Sequence, residues 1–215
     1  MGPITFALVA VLGILLAIVL MQLFRRPAFK PGSSAPAEDL ANLQPHQAKP
    51  GDVVSIAGVG DDMTDLDFTA DRATWVEAGS HRWFDLAGAY RSRRVSMRVD
   101  TGGEEISVSV HNDPRKLTIG DLGLSEEDLA EMDERQNPAD TFSFDDRDWS
   151  YRLSREAQAS RSDQPRPFGF YYWEFREQGG GGILAVRKEE GEPFSVTLYH
   201  EIPAADVTIY RGGKA

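Results

Sequence analysis

Eighteen residues, Ser55 to Arg72 (SIAGVGDDMTDLDFTADR), bring two close glycines and five aspartates together without a lysine. Three arrangements use such a composition. A phosphate cradle needs glycines where the backbone meets the anion, and amides or cations facing it. Gly58-Val59-Gly60 supplies only two glycines of the dinucleotide pattern, and Asp61 and Asp62 stand where positive potential is required. No Walker lysine follows, so nucleotide binding is not expected. A metal cage could draw on Asp61, Asp62, Asp65 and Asp67 as hard oxygen ligands, with Asp71 beyond them. Their spacing lacks the alternating acids and distal glutamate of a calcium loop. The third arrangement is a strand that bends back. Asp65 and Asp67 alternate with Leu66 and Phe68, as on a half-exposed strand, and aspartates in a glycine-bearing turn bond the local backbone. The bend is the expectation and the metal cage the weaker alternative.

Elsewhere chemistry is sparse. Cysteine is absent, which removes disulfides, thiolate metal sites and a cysteine nucleophile. The four histidines, His46, His81, His111 and His200, include no pair at a zinc-ligand spacing. There is no nucleophile elbow, H-E-x-x-H or kinase element, and the many carboxylate pairs are too common to mark a glycosidase. No catalytic residue and no cofactor is expected. Two surface candidates remain. The stretch FGFYYWEF (Phe168–Phe175) carries aromatics on both faces, including Phe170, Tyr172 and Trp173. A strand packed between two layers explains this by default, and a face open to a partner is the alternative. Arg91, Arg93, Arg94 and Arg98 form a basic patch expected to face water and to pair with nearby carboxylates, or to dock an acidic protein.

Short strands must position these residues. RVSMRV (Arg94–Val99) sets Val95, Met97 and Val99 against Arg94, Ser96 and Arg98, and EISVSV (Glu105–Val110) turns Ile106, Val108 and Val110 inward. Period-two alternation predicts antiparallel sheets with one buried face, and residues 100–104, 179–182 and 189–193 read as hairpin turns. Overlaying the halves at an offset near ninety sets Trp83-Phe84-Asp85-Leu86 on Trp173-Glu174-Phe175-Arg176. It also sets residues 94–99 on 183–188, 105–110 on 194–199, and His111 on His200. Between the halves Ser125 can cap a helix with Glu126, Glu127 and Asp128 in its first turn, Leu124, Leu129 and Met132 as its stripe, and Asn137-Pro138 as its stop. The fold class is thus mainly β, with two antiparallel meander units joined by an acidic helical connector.

The start differs in kind. Ile4–Phe24 holds no charge over 21 residues, and as a helix it would span about 30 Å, the thickness of a bilayer core. Arg25, Arg26 and Lys30 follow it, so the positive-inside rule places the amino terminus outside and the rest in the cytoplasm. A cleaved signal peptide fits less well, because Ala35-Pro36-Ala37 lies beyond the arginines and contains proline. Residues 25–50 carry five prolines and read as a tether. The expected divisions are an anchor at 1–24, the tether at 25–50 and a cytoplasmic β-rich domain at 51–215. Its halves run over 51–111 and 138–211, with the connector at 112–137. Of the chain's 23 basic and 34 acidic side chains, four and two lie in residues 1–50, leaving 19 and 32 and a net charge of −13 for the domain. Such a domain repels nucleic acid and an anionic leaflet, and attracts basic proteins or polyamines.

With this anchor, the opening Gly51-Asp52-Val53-Val54, DLDFTADR, Trp83-Phe84-Asp85-Leu86, NDPRKLTIGDLGLSEEDLAEMDE (Asn112–Glu134), Tyr172-Trp173-Glu174-Phe175 and the closing DVTIYR, the chain resembles the bacterial domain of unknown function 4178 family from Gly51 to Arg211. The resemblance implies a membrane-associated accessory role near envelope-stress proteins and polyamine-synthesising enzymes, and carries no catalytic residues. The expectation is a non-enzymatic, inner-membrane-anchored interaction module. The alternative is a sensor that binds a polyamine or a divalent metal through its acidic surface.

Overall fold

The structure, a computed structural model, describes residues 43–212 apart from Glu104; the apolar segment 4–24 and most of the tether lie outside the described residues. Among the described residues no helix is long and apolar enough to cross a membrane.

The glycine–aspartate stretch is a bend. Strand β1 (Val53–Ile56) returns as β2 (Leu66–Ala78), with Val54 opposite Phe68 and Ile56 opposite Leu66. A single 3-10 turn at Asp61–Met63 reverses the chain, and Asp62 and Met63 take left-handed φ values of 56° and 63°. The chain then runs as a meander through β3 (His81–Tyr90), β4 (Arg93–Asp100) and β5 (Ser107–His111). Helix α1 (Glu126–Arg135) follows. A second run contains β6 (Thr141–Phe144), β7 (Arg147–Arg161), β8 (Phe168–Glu177), β9 (Gly182–Lys188) and β10 (Ser195–Ile202), and β11 (Val207–Tyr210) returns to β1. The hairpins fall where the turn residues placed them. One more, Asp145-Asp146 between β6 and β7, has both residues at positive φ, as two-residue hairpins favour.

Two long strands make the architecture. Opposite β3, β2 skips one residue, Asp71; opposite β8, β7 skips Arg152. A bulge bends its strand. Before each bulge the strand pairs with a short neighbour, β1 or β6; beyond the bulges β2 and β7 pair with each other, Val76 opposite Ala159. With β5 also paired to β10, strands β2–β5 and β7–β10 close into a ring of eight antiparallel strands.

Closure divides the apolar residues into three clusters. One face of the first run packs Ile56, Leu66, Phe68, Leu86, Met97 and Val110 beneath β1 and β11. The corresponding face of the second run packs Phe175, Leu184, Val186 and Leu198 with Leu122, Leu124, Leu129 and Met132 from around α1. Inside the ring lie Val76, Trp83, Leu153, Phe170, Tyr172, Ile183 and Tyr199. Each fully buried aliphatic or aromatic side chain in such a core contributes about 1.5–3 kcal/mol. The α1 cap forms as its sequence requires: Ser125 Oγ accepts from the Asp128 amide, and the Asp128 carboxylate accepts from the Ser125 amide.

Several expectations need correction. Arg98 does not face water; the second run covers its side of the sheet and leaves it 4% exposed. Ile106 precedes β5 and is exposed instead of turned inward. Trp83 lies inside the ring and Trp173 in the cluster beneath α1, so the overlay of these two positions does not hold. His111 and His200 also differ in the face they occupy: His200 sits opposite Val110 of the first cluster, whereas the His111 ring lies 5.9 Å from that of Tyr199 inside the ring. The packed part begins by Leu43, not Gly51, because Leu43 and Ala48 are buried in the first cluster. Asp52, also buried, ties that start to the end of the domain through Arg211, 2.6 Å away, and the Gly212 amide.

Candidate functional site

In the bend the aspartates are engaged by the arginines thought to form a patch. Arg93 grips Asp61 with both Nη atoms, at 2.5 and 3.2 Å, and Arg91 Nη1 reaches it at 2.6 Å. The hydrogen bonds and charges of these arginines hold the Asp61 carboxyl below its ordinary range. Arg94 forms a similar fork with Asp71, the bulge residue, at 2.6 and 3.0 Å. Asp65 accepts from the Gly58 amide at 3.1 Å, closing the turn. The candidate cage is therefore occupied by the protein's own donors at Asp61 and Asp65, while Asp62 and Asp67 face outward. Among the described residues no three histidine, aspartate or glutamate side chains stand where they could hold one ion.

The aromatic candidates are packed on both faces. Phe170, Tyr172 and Trp173 are all buried, so the strand presents no open aromatic face, and of the three only Phe170 borders the groove over β7 and β8. Trp173 Nε1 donates to the Leu129 carbonyl of α1 at 3.1 Å, and its ring lies 4.6 Å from that of Tyr171. The Tyr171 hydroxyl donates to both carboxylate oxygens of Asp133 at 2.8 Å, and Ser154 Oγ donates to the same aspartate. Burial and the Asp133 carboxylate push the Tyr171 hydroxyl up to about 12. Together with Gln136 this network docks α1 on β7 and β8. Ser154, buried beside Asp133, spends its hydroxyl here.

The ring interior holds a chain of charges that sequence reading left unconnected. Asp85 accepts from Arg98 Nε at 3.0 Å and from Arg187 Nη2 at 2.9 Å. Arg98 Nη1 donates to the Tyr172 hydroxyl at 3.0 Å, which donates to Glu174 at 2.8 Å. Arg176 then bridges Glu174 to Glu201. The Arg98 guanidinium is stacked 4.0 Å from the Tyr199 ring centre and 4.9 Å from that of Trp83. Burial drives the Asp85 carboxyl up, and Arg98 and Arg187 more than reverse it, leaving it below its ordinary range. Burial, followed by the Glu174 charge, raises the Tyr172 hydroxyl, which Arg98 only partly offsets. This chain crosses between the two runs and orders the interior. A local hint in the sequence is Trp83, which alternation places on the same face of β3 as Asp85.

Among the surface depressions of the described residues is a groove of about 720 Å³ over β7 and β8, flanked by the β2–β3 and β9–β10 turns. Glu77, Glu156, Glu189 and Glu190 line it and are exposed, with the Tyr171 ring and Gln158 between them. Glu77 is paired with Arg82 at 3.3 Å; among the described residues no cation is paired with the other three. Lys188, the cation of the groove, is turned to the Glu192 carbonyl and the Phe194 ring. Such a groove attracts extended cationic groups by charge and can stack them on an aromatic face. Comparison with family models yields no match, and no curated protein and no solved structure matches the chain.

Proposed function

We propose that the chain is a non-catalytic binding module, held at the inner membrane by residues 4–24, whose cytoplasmic domain accepts a cationic protein segment in the groove over β7 and β8. The observation that carries this reading is the groove itself. With the aromatic strand buried and Arg93 and Arg94 committed to aspartates, the groove gathers Glu156, Glu189 and Glu190, which pair with no cation among the described residues. The resemblance to the domain of unknown function 4178 family, resting on the motifs quoted above, gives this module an accessory role in an envelope-stress or membrane-remodelling assembly. The symmetric strand order on either side of the β5–β10 pair supports reading the two runs as copies of one ancestral meander.

A fluorescent lysine- and arginine-rich peptide, titrated with the full chain in detergent, tests the groove. Changing Glu156, Glu189 and Glu190 to lysine should weaken binding at least tenfold, and added salt should weaken the wild type's binding steeply. Equal binding by the variant at unchanged folding overturns the proposal. A small polycation is the second reading, favoured by the gathering of four glutamates and Tyr171 along one groove. Spermidine giving a calorimetric heat that the triple variant loses, with no peptide binding, would select it. For the compartment, alkaline phosphatase joined behind Ala215 should be inactive; an active fusion removes the cytoplasmic placement.

A further inference from the structure

At one end of the ring a cavity of about 10 Å³ is lined by Trp83, Arg98, Asp100, Ser109, Tyr172 and Glu174, among others. Two of its lining groups are buried donors with no hydrogen-bond partner among the described residues: Trp83 Nε1 and Arg98 Nη2. Both residues are more than nine-tenths buried. The other buried indoles with the same chemistry are satisfied, Trp149 by the Phe144 carbonyl and Trp173 by the Leu129 carbonyl, each at 3.1 Å. A buried donor left unmade costs about 1–3 kcal/mol, and native interiors rarely leave one so. The space admits about one water-sized sphere and no organic ligand. Its lining combines these two unpartnered donors with the carboxylates of Asp100 and Glu174. An anion would meet those carboxylates, whereas a water accepts from the donors and gives its own hydrogens to the acids.

We infer that this cavity is a built site for a single resident water, held by Trp83 and Arg98 and completing the charge chain that joins the two runs. The site is independent of the groove and of what the groove binds. It makes the ring interior a specified polar network instead of a neutral packing layer, with the water acting as the eighth member between Arg98 and the acids.

Nitrogen-15 labelling of tryptophan in the full chain in detergent, with triple-resonance assignment, gives four indole probes. The expected result is a water cross-peak at the Trp83 indole proton, of the sign given by a water resident for longer than nanoseconds. Trp149 and Trp173 should show none, and Trp75, which is 48% exposed, should show only the sign of bulk solvent. The absence of a cross-peak at Trp83 overturns the inference. So does a saturable shift of that resonance with chloride, which would make the occupant a halide.

Discussion

The protein contains two kinds of arginine–aspartate cluster built from the same strands, and burial makes them different objects. At the bulge, Arg94 and Asp71 form a fork while remaining 49% and 51% exposed. Inside the ring, Arg98 and Asp85 are 5% and 10% exposed, and Arg187 shares the same carboxylate. The outer pair is screened by water and salt, and water stands ready to replace either partner. The inner group has lost that replacement: each ion there depends on the others, on Tyr172 and on the aromatic faces around it. Geometry that looks alike therefore holds a surface bend in one case and specifies how two sheets meet in the other.

The strongest way to break the comparison is Asp85→Ala. It leaves the buried Arg98 and the partly buried Arg187 without their carboxylate and should cost about 3–5 kcal/mol by urea unfolding; a loss no larger than that of a surface pair would mean the ring interior is wet. Tyr172→Phe probes the next link. Arg98 Nη1 and Glu174 each lose a partner, and the expected loss is about 1–3 kcal/mol. A neutral result would show that Arg98 and Glu174 close the gap directly.

Acid unfolding sharpens the contrast further. The carboxyls of Asp85 and Asp71 both titrate below their ordinary value in the folded protein, so the unfolded chain takes up protons first. Their stabilisation is present above about pH 4 and is lost as the pH falls through the folded values. The acid limb of the stability curve should flatten in Asp85→Asn and change much less in Asp71→Asn. The smallest effect expected is that of Asp71→Asn at neutral pH. It should stay within about 1 kcal/mol and vanish in molar salt; a larger, salt-resistant loss would place this pair in the same class as the interior.

Much of the fold was legible because it follows from local rules. The alternation of DLDFTADR and RVSMRV, the turn glycines and the Ser125 cap each encode their own geometry within a few residues. The bend came out for that reason, whereas the pairing of Arg93 with Asp61 and of Arg94 with Asp71 joins residues 32 and 23 positions apart and followed only from the expectation that exposed strand charges find opposite charges. The buried Arg98 was misread because period two says which residues share a face and not which face is covered. In β4 the apolar side packs beneath β1 and β11, while the charged side is covered by a sheet some eighty residues later in the chain. The aromatic strand carried the clue that both faces are buried, but nothing local names the charged residues that lie against it.

The amino-acid sequence alone determined the strands, hairpins, helix cap and acidic surface, since each depends on neighbours only a turn or a pleat away. Tertiary structure decided the rest: the β2–β7 and β5–β10 seams, the fate of Asp85 and Arg98 inside the ring, and the gathering of glutamates into one groove. Those features arise from residues far apart in the chain, where bulges at Asp71 and Arg152 bend two strands far enough to meet. Solvent exclusion then turns ordinary surface chemistry into a buried network.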